Sequence, residues 1–198
     1  MSQPELVAQA CVSVIDDDRK FLESLGRLLR SAGLPSRLFV SIADFVGSAP
    51  SQVPTCLVLD VKLPGRSGLD FQRDLATAGV GPPIIFVTGQ GDIPMSVQAM
   101  KAGAIEFLTK PFRDQELLDA VDVGLARDRA RRDSDEALRA LRARFELLTP
   151  RERAILVQVV DGKLNKQIAG DLGITETTVK VHRCKSSSLH RSRSSAAW

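Results

Sequence analysis

Residues 56–70 read CLVLDVKLPGRSGLD, and this stretch decides the fold. An apolar run, 56–59, ends at the acid Asp60, and a helical pattern begins at residue 69 after a loop that contains Pro and Gly. The run is apolar at every position, which is typical of a parallel strand covered by helices on both faces. The stretch therefore predicts a buried strand, an acid at its end, and a helix that follows.

The same alternation of short apolar runs and amphipathic segments extends from residue 10 to about residue 125. The predicted strands are residues 11–15, 36–39, 56–59, 84–87 and 106–108. The predicted helices are residues 20–31, 42–46, 69–77, 95–102 and 115–126. A fivefold β–α repeat predicts an α/β fold with a doubly wound, five-stranded parallel sheet.

Polar side chains stand where the predicted strands end. Asp16 and Asp17 follow the first strand, Asp60 follows the third, Thr88 follows the fourth, and the fifth runs into Lys110. The carboxyl ends of parallel strands form a common ligand crevice, so these groups are expected to lie together. Clustered carboxylates favour Mg²⁺, with Mn²⁺ as the alternative ion. A carboxylate beside that ion could attack a phosphoryl group, whose charge the metal, the lysine and the hydroxyl would stabilise.

Four motifs carry a specific resemblance. VSVIDDD (12–18), LVLDVKLPGRSGLD (57–70), IIFVTGQGD (84–92) and MKAGAIEFLTKPF (100–112) resemble the CheY-like receiver family of response regulators over about 120 residues.

The resemblance implies that Asp60 accepts phosphate from a sensor histidine kinase. The implied Mg²⁺ ligands are Asp16, Asp17, Asp60 and the backbone carbonyl of Lys62. It further implies that Thr88 and Lys110 hold the phosphoryl oxygens, that the Lys110–Pro111 bond is cis, and that Phe107 is an aromatic switch.

Other acids and another enzyme class fit this pattern less well. Asp18, Asp92 and Asp114 match no ligand of the family and are interpreted as helix caps or solvated charges. A phosphatase resembling the haloacid dehalogenases would need a second acid two residues after its nucleophile, where this chain has Lys62. We therefore expect no enzyme activity beyond Mg²⁺-dependent self-phosphorylation and slow self-dephosphorylation.

Residues 126–147 form a predicted helical linker between a receiver domain, 8–125, and a second domain, 148–198. The linker contains neither Gly nor Pro and mixes both charges, and Leu138, Leu141 and Phe145 form a narrow apolar stripe. Either a solvated helix or a helix that pairs with a partner chain explains this pattern.

The second predicted domain consists of short helices. Thr149 and Pro150 are typical of a helix start, Asn165 is expected to cap a second helix that ends at Gly173, and Thr175 to cap a third. LTPRERAILVQVVDGKLNKQIAGDLGITETTVKVHR (148–183) resembles the LuxR-type helix-turn-helix, and its pairing with a receiver resembles the FixJ/NarL group. The candidate DNA-binding residues are Lys166, Thr177, Lys180, Val181 and Arg183.

The C-terminal residues, CKSSSLHRSRSSAAW (184–198), depart from the LuxR-type pattern. Ser186 and Ser187 stand where the family has Ile or Met. One hypothesis is a truncated or frame-shifted ending, and the alternative is a short tail without a fourth helix. Two functions thus stay open: a DNA-binding regulator, and a signalling protein whose output domain no longer binds DNA.

Charge supports different partners for the two halves. Residues 1–125 carry 11 Lys/Arg against 15 Asp/Glu, whereas residues 149–198 carry 9 against 4. This asymmetry favours metal and phosphate chemistry in the acidic N-terminal part and binding of a polyanion by the basic C-terminal part. The predicted partners are a histidine kinase, DNA with inverted half-sites, and a second copy bound through the phosphorylated receiver.

No apolar run approaches the roughly 18 residues of a membrane span, and no signal peptide is recognised, so a cytoplasmic location without a membrane partner is predicted.

Overall fold

The computed structural model describes residues 11–48, 56–79 and 81–182. The chain forms two compact units, which divide between Arg132 and Asp133. The candidate DNA contact Arg183, and the tail on which the truncation hypothesis rests, lie outside the described residues. Within those residues, no helix is long and apolar enough to cross a membrane.

The first unit contains the predicted five-stranded parallel sheet, with strand order β2-β1-β3-β4-β5. The strands are β1 (Val12–Ile15), β2 (Ser36–Phe39), β3 (Cys56–Asp60), β4 (Ile84–Thr88) and β5 (Glu106–Thr109). Asp60 and Thr88 are the last residues of β3 and β4 rather than the first residues after them. The polar residues at the carboxyl ends of β3 and β4 therefore belong to the strands themselves.

In the described residues, the strands are accompanied by the helices α1 (Arg19–Ser31), α2 (Ile42–Gly47), α3 (Gly68–Thr77), α4 (Ile93–Lys101) and α5 (Asp114–Glu146). Helix α4 begins two residues before the predicted start because the Asp92 side chain caps it and Pro94 fits its first turn. Helix α5 includes both the predicted last receiver helix and most of the predicted linker, and the boundary between the two units falls within it.

Side chains of alternate strand residues fill two apolar clusters, one on each face of the sheet. Along β3, Leu57 and Leu59 belong to one cluster, and Cys56 and Val58 belong to the other. Every residue of β1, β3 and β4 is buried, whereas the edge strands β2 and β5 are partly exposed. The central strands are thus fixed on both faces, which holds their polar carboxyl ends in place.

The second unit contains α6 (Pro150–Val160), α7 (Asn165–Leu172) and α8, whose described part is residues 176–182. A small core joins them and consists of Ile155, Ile168, Ala169 and Val179. Helix α7 ends at Gly173, whose φ of 61° is the left-handed conformation that glycine adopts readily. This arrangement of α7 and α8 is the predicted helix-turn-helix.

Two of the three predicted caps in this unit are present. Thr149 Oγ1 accepts a hydrogen bond from the Glu152 N–H, and Thr175 Oγ1 accepts one from the Thr178 N–H. The prediction for Asn165 was wrong, because Asn165 is the first residue of α7 and the cap position falls on Leu164. The Gln167 side chain accepts the Leu164 N–H at 2.9 Å, which satisfies the backbone donor of the cap residue itself.

Candidate functional site

Three carboxylates meet at the carboxyl edge of the sheet. Asp16 and Asp17 follow β1, Asp60 ends the neighbouring β3, and one oxygen of each lies within 4.8 Å of the others. Asp16 and Asp60 are buried, whereas Asp17 is exposed. The pairing of β1 with β3 explains the proximity, since parallel neighbours end at the same edge of the sheet.

Lys110, which follows β5, extends its ammonium group to both buried acids. Its Nζ atom lies 2.5 Å from Asp16 Oδ2 and 3.4 Å from Asp60 Oδ2. Two buried carboxylates would repel each other strongly, and one cation between them offsets part of that repulsion.

Burial raises the pKa of the Asp16 carboxyl above its usual value. The hydrogen bond from Lys110 and the backbone N–H of Asp18 oppose this effect on the pKa, while the charge of Asp60 adds to it. A buried acid that one lysine compensates only in part favours a further cation beside it. The hard oxygen donors of the three carboxylates fit a divalent metal ion.

The loop after β3 fixes the orientation of Asp60. Asp60 Oδ1 accepts a hydrogen bond from the Lys62 N–H at 3.0 Å, which leaves Oδ2 facing Lys110. The Gly68 N–H donates to the Val61 carbonyl, and a Cβ atom on Gly68 would lie 2.3 Å from the Asp60 carbonyl oxygen. Only glycine therefore allows α3 to begin directly against Asp60. The Lys62 carbonyl remains a predicted ligand.

Thr88 lies on the strand beside Asp60. Asp60 pairs with Val87 in the register of β3 and β4, so Thr88 is one residue beyond that partner. Its side chain is buried, and its hydroxyl accepts the Gln90 N–H at 3.3 Å. The Gln90 side chain in turn accepts a hydrogen bond from Lys62 Nζ at 2.6 Å, which links the loops after β3 and β4.

Phe107 on β5 is partly buried and pairs with Phe86 on β4, with ring centroids 6.2 Å apart. A Cβ atom on Gly91 would lie 2.8 Å from the Phe107 ring and 3.1 Å from the Thr88 methyl group. The loop after β4 therefore lies against both Phe107, the predicted switch residue, and Thr88, which is predicted to bind the phosphoryl group.

Of the three acids that match no ligand of the receiver family, two are helix caps. Asp18 accepts hydrogen bonds from the Lys20 and Phe21 N–H groups at the start of α1, and Asp92 accepts the Met95 N–H at the start of α4. Asp114 is an acid in the first turn of α5. The Lys110–Pro111 peptide bond is cis, as predicted.

The second unit presents most of the candidate DNA-binding residues on its surface. On α8, Thr177, Lys180 and Val181 are exposed, while Val179 between them is buried in the core. Lys166 is exposed in the first turn of α7. The described part of α8 therefore directs one face inward and offers a polar and basic face to solvent.

Sequence reasoning missed three residues that contact the site: Phe21, Gln90 and Gly91. The pattern GQGD (89–92) signals a tight loop after β4, from which the positions of Gln90 and Gly91 could have been anticipated. Phe21 gave no comparable signal, because an aromatic residue on an amphipathic helix is usually part of the core.

Comparison with known proteins extends these findings to family level. The family model described as the response regulator receiver domain matches residues 12–122, and the model described as bacterial regulatory proteins, luxR family, matches residues 146–186. Nodulation protein W of Bradyrhizobium diazoefficiens is 49% identical over 192 residues, which cover 97% of this chain and 85% of that protein.

A second relative and a solved structure agree. The transcriptional regulatory protein FixJ of Azorhizobium caulinodans is 41% identical over 172 residues, which cover 87% of this chain and 82% of that protein. A structure of the response regulator StyR is 49% identical, superposes with a TM-score of 0.76 and covers 90% of each chain. The chain therefore belongs to the response regulators of the FixJ/NarL type, transcription regulators in which a phosphorylation-controlled receiver domain precedes a LuxR-type DNA-binding domain.

Proposed function

We propose that Asp60 is the phosphate acceptor and that a sensor histidine kinase is the donor. An oxygen of the Asp60 carboxylate attacks the phosphorus of the phosphohistidine, a P–O bond forms, and the P–N bond breaks. The histidine nitrogen leaves with the bonding electron pair, and Asp60 becomes an acyl phosphate. Attack by water on that acyl phosphate later restores the carboxylate and releases inorganic phosphate.

The neighbouring side chains have separate tasks in this proposal. Lys110 keeps its ammonium group at the acids and donates a further N–H to an oxygen of the transferred phosphoryl group, and the Thr88 hydroxyl donates to another. Asp16, Asp17, Asp60 and the Lys62 carbonyl are the proposed ligands of Mg²⁺. A bound Mg²⁺ would supply positive charge against both the carboxylates and the phosphoryl oxygens. Catalysis is limited to this self-phosphorylation and self-dephosphorylation.

Dimerisation through the receiver is the proposed link to DNA. Helix α4 carries three exposed apolar side chains, Ile93, Val97 and Met100, and Ile93 is 79% exposed. Such a row on one helix supports a contact with a second copy through α4 and β5. Phe107 on β5 is the proposed switch that alters this surface when Thr88 engages the phosphate. Two copies would then bind inverted half-sites with α8 in the major groove.

The single observation that carries the proposal is the Lys110 ammonium group between two buried carboxylates at the carboxyl edge of the sheet. The test is incubation of the full chain with Mg²⁺ and acetyl phosphate, followed by mass spectrometry. Wild type is expected to gain one phosphoryl group, and Asp60→Asn none. Asp70→Asn, which changes an exposed acid on α3, is the control and should react like wild type. A phosphorylated Asp60→Asn variant would contradict the assignment.

A further inference from the structure

The ring of Phe21 lies directly against the ammonium group of Lys110. The distance from Lys110 Nζ to the ring centroid is 3.8 Å, well inside the range of about 6 Å over which a cation is attracted to an aromatic face. Phe21 belongs to α1 and Lys110 follows β5, so the contact joins opposite ends of the receiver sequence. The same ammonium group also contacts Asp16 and Asp60.

Two further contacts hold the ring in this place. The backbone N–H of Phe21 donates to the capping carboxylate of Asp18 at 3.2 Å, which fixes the first turn of α1. The ring itself meets Phe112 edge to face, with centroids 6.1 Å apart and an interplanar angle of 88°. Phe21 is therefore oriented by its helix start and by the loop between β5 and α5.

An aromatic face suits the task proposed for Lys110. The side chain of Lys110 is 22% exposed, and an ammonium group at such a position is otherwise hydrated. A carboxylate in place of the ring would compete with phosphate for the N–H donors, and an aliphatic chain would offer no electrostatic attraction. The ring attracts the cation through its quadrupole and provides no strong hydrogen-bond acceptor. The N–H donors thus remain directed at the acids and at an incoming phosphoryl oxygen.

We propose that Phe21 is a positioning residue for phosphoryl transfer, which holds the Lys110 ammonium group at Asp60 through a cation–π contact. This inference rests on the proposed function of Asp60 and Lys110. It assigns to Phe21 a role that acts only through the lysine. Removal of the ring lets the ammonium group move toward solvent, so that the transferred phosphoryl group loses part of its charge stabilisation.

The test compares phosphorylation rates of full-length variants with acetyl phosphate and Mg²⁺, a small donor that requires no kinase surface. Phe21→Leu keeps an apolar side chain and is expected to slow phosphorylation about three- to tenfold at saturating donor. Phe21→Tyr keeps the ring and should retain the wild-type rate to within about twofold. Phe45→Leu is the matched control for lost packing, since it shortens a buried phenylalanine on α2 in the apolar cluster on the other face of the sheet from Phe21. Should Phe21→Leu unfold, Phe21→Met replaces it.

A double-mutant cycle separates positioning from packing. In a Lys110→Gln background, Phe21→Leu should cause no further loss of rate, because no cation remains for the ring to hold. An equal loss in both backgrounds, or an equal loss in Phe45→Leu, would overturn the inference, and so would a Phe21→Leu variant that reacts like wild type. If wild type itself gains no phosphate on Asp60, the proposed function of Asp60 is refuted. If wild type is phosphorylated but the variants do not behave as expected, only the role of Phe21 is refuted.

Discussion

Single glycines control how closely the loops approach the acidic edge. Gly68 and Gly91 both have backbone conformations that other residues can adopt, so the constraint on them is space rather than φ. At Gly91 the nearest atoms belong to the Phe107 ring, which can move, whereas at Gly68 the nearest atom is the backbone carbonyl oxygen of Asp60, which cannot move without β3. Substitution of Gly68 therefore affects Asp60, the proposed phosphate acceptor, directly.

Gly68→Ala is expected to lower the free energy of unfolding of the receiver by about 1–3 kcal/mol, the usual range for overpacking. The added methyl group would lie 2.3 Å from the Asp60 carbonyl oxygen, so α3 must shift away from the strand end. Denaturant titration measures the change. Gly47→Ala is the matched control, because, among the described residues outside its own helix turn and chain neighbours, the added methyl group meets no atom within 4 Å. Equal stability of the two variants would contradict the close approach.

Helix α5 packs on the sheet through another close contact. A Cβ atom on Gly124 would lie 2.8 Å from Cys56 Sγ, at the start of β3. Burial raises the pKa of the Cys56 thiol to about 12, so the group is a neutral thiol at physiological pH and acts as a small apolar side chain.

The effect of Gly124→Ala on stability should change sign with the residue at position 56. In wild type the variant is expected to cost about 1–2 kcal/mol through overpacking. In a Cys56→Ala background the sulfur is absent, and the same change should stabilise α5 by about 0.5–1 kcal/mol, because Ala favours a helix over Gly. Denaturant titration of wild type, Gly124→Ala, Cys56→Ala and the double variant measures the coupling free energy between the two positions. If the two effects on stability were additive, residues 124 and 56 would not be in contact.

The start of α6 should make the second unit sensitive to acid. The backbone N–H of Thr149, together with its hydroxyl, holds the pKa of Glu152 below its usual value, and His182 adds to this effect. A carboxyl whose folded pKa is lowered stabilises the fold above its unfolded pKa, and this contribution is lost as the pH falls through the folded value. The wild-type chain should therefore lose this contribution as the pH falls below roughly 5.

Glu152→Gln should lose less stability than wild type over the same pH range, because the amide does not titrate. Thermal unfolding of the full chain, followed by circular dichroism at several pH values, measures the difference. Glu136→Gln, which changes an exposed acid on α5, is the control and should follow the wild-type curve. Identical curves for wild type and Glu152→Gln would contradict the role of the capping box.

At the scale of the whole molecule, the basic second half should bind DNA with a strong dependence on salt. Lys166→Ala is expected to weaken binding about equally for all sequences and to reduce the salt slope by about one, as the loss of one phosphate contact predicts. Fluorescence anisotropy at several salt concentrations measures the slope. Lys20→Ala in the acidic first half is the control. A Lys166→Ala slope equal to that of wild type would exclude this lysine from the interface.

The sheet and most of the acidic edge followed from the sequence because they depend on local pattern. Apolar runs marked all five strands, and a parallel sheet brings strand ends together whatever the details of packing. The cap of α7 was predicted one residue too late, because the local backbone places Leu164 rather than Asn165 at the cap position. The contact between Phe21 and Lys110 was missed because residues 89 positions apart meet only through tertiary packing.

The most direct test of phosphorylation control measures phosphate incorporation and DNA affinity in one sample of the full chain. With Mg²⁺ and acetyl phosphate, wild type should carry phosphate on Asp60, shift toward a dimer and bind a DNA fragment with inverted half-sites more tightly. Asp60→Asn should show none of these changes. Phosphorylation of Asp60 without any change in DNA affinity would contradict the account and favour a signalling protein whose output domain does not bind DNA.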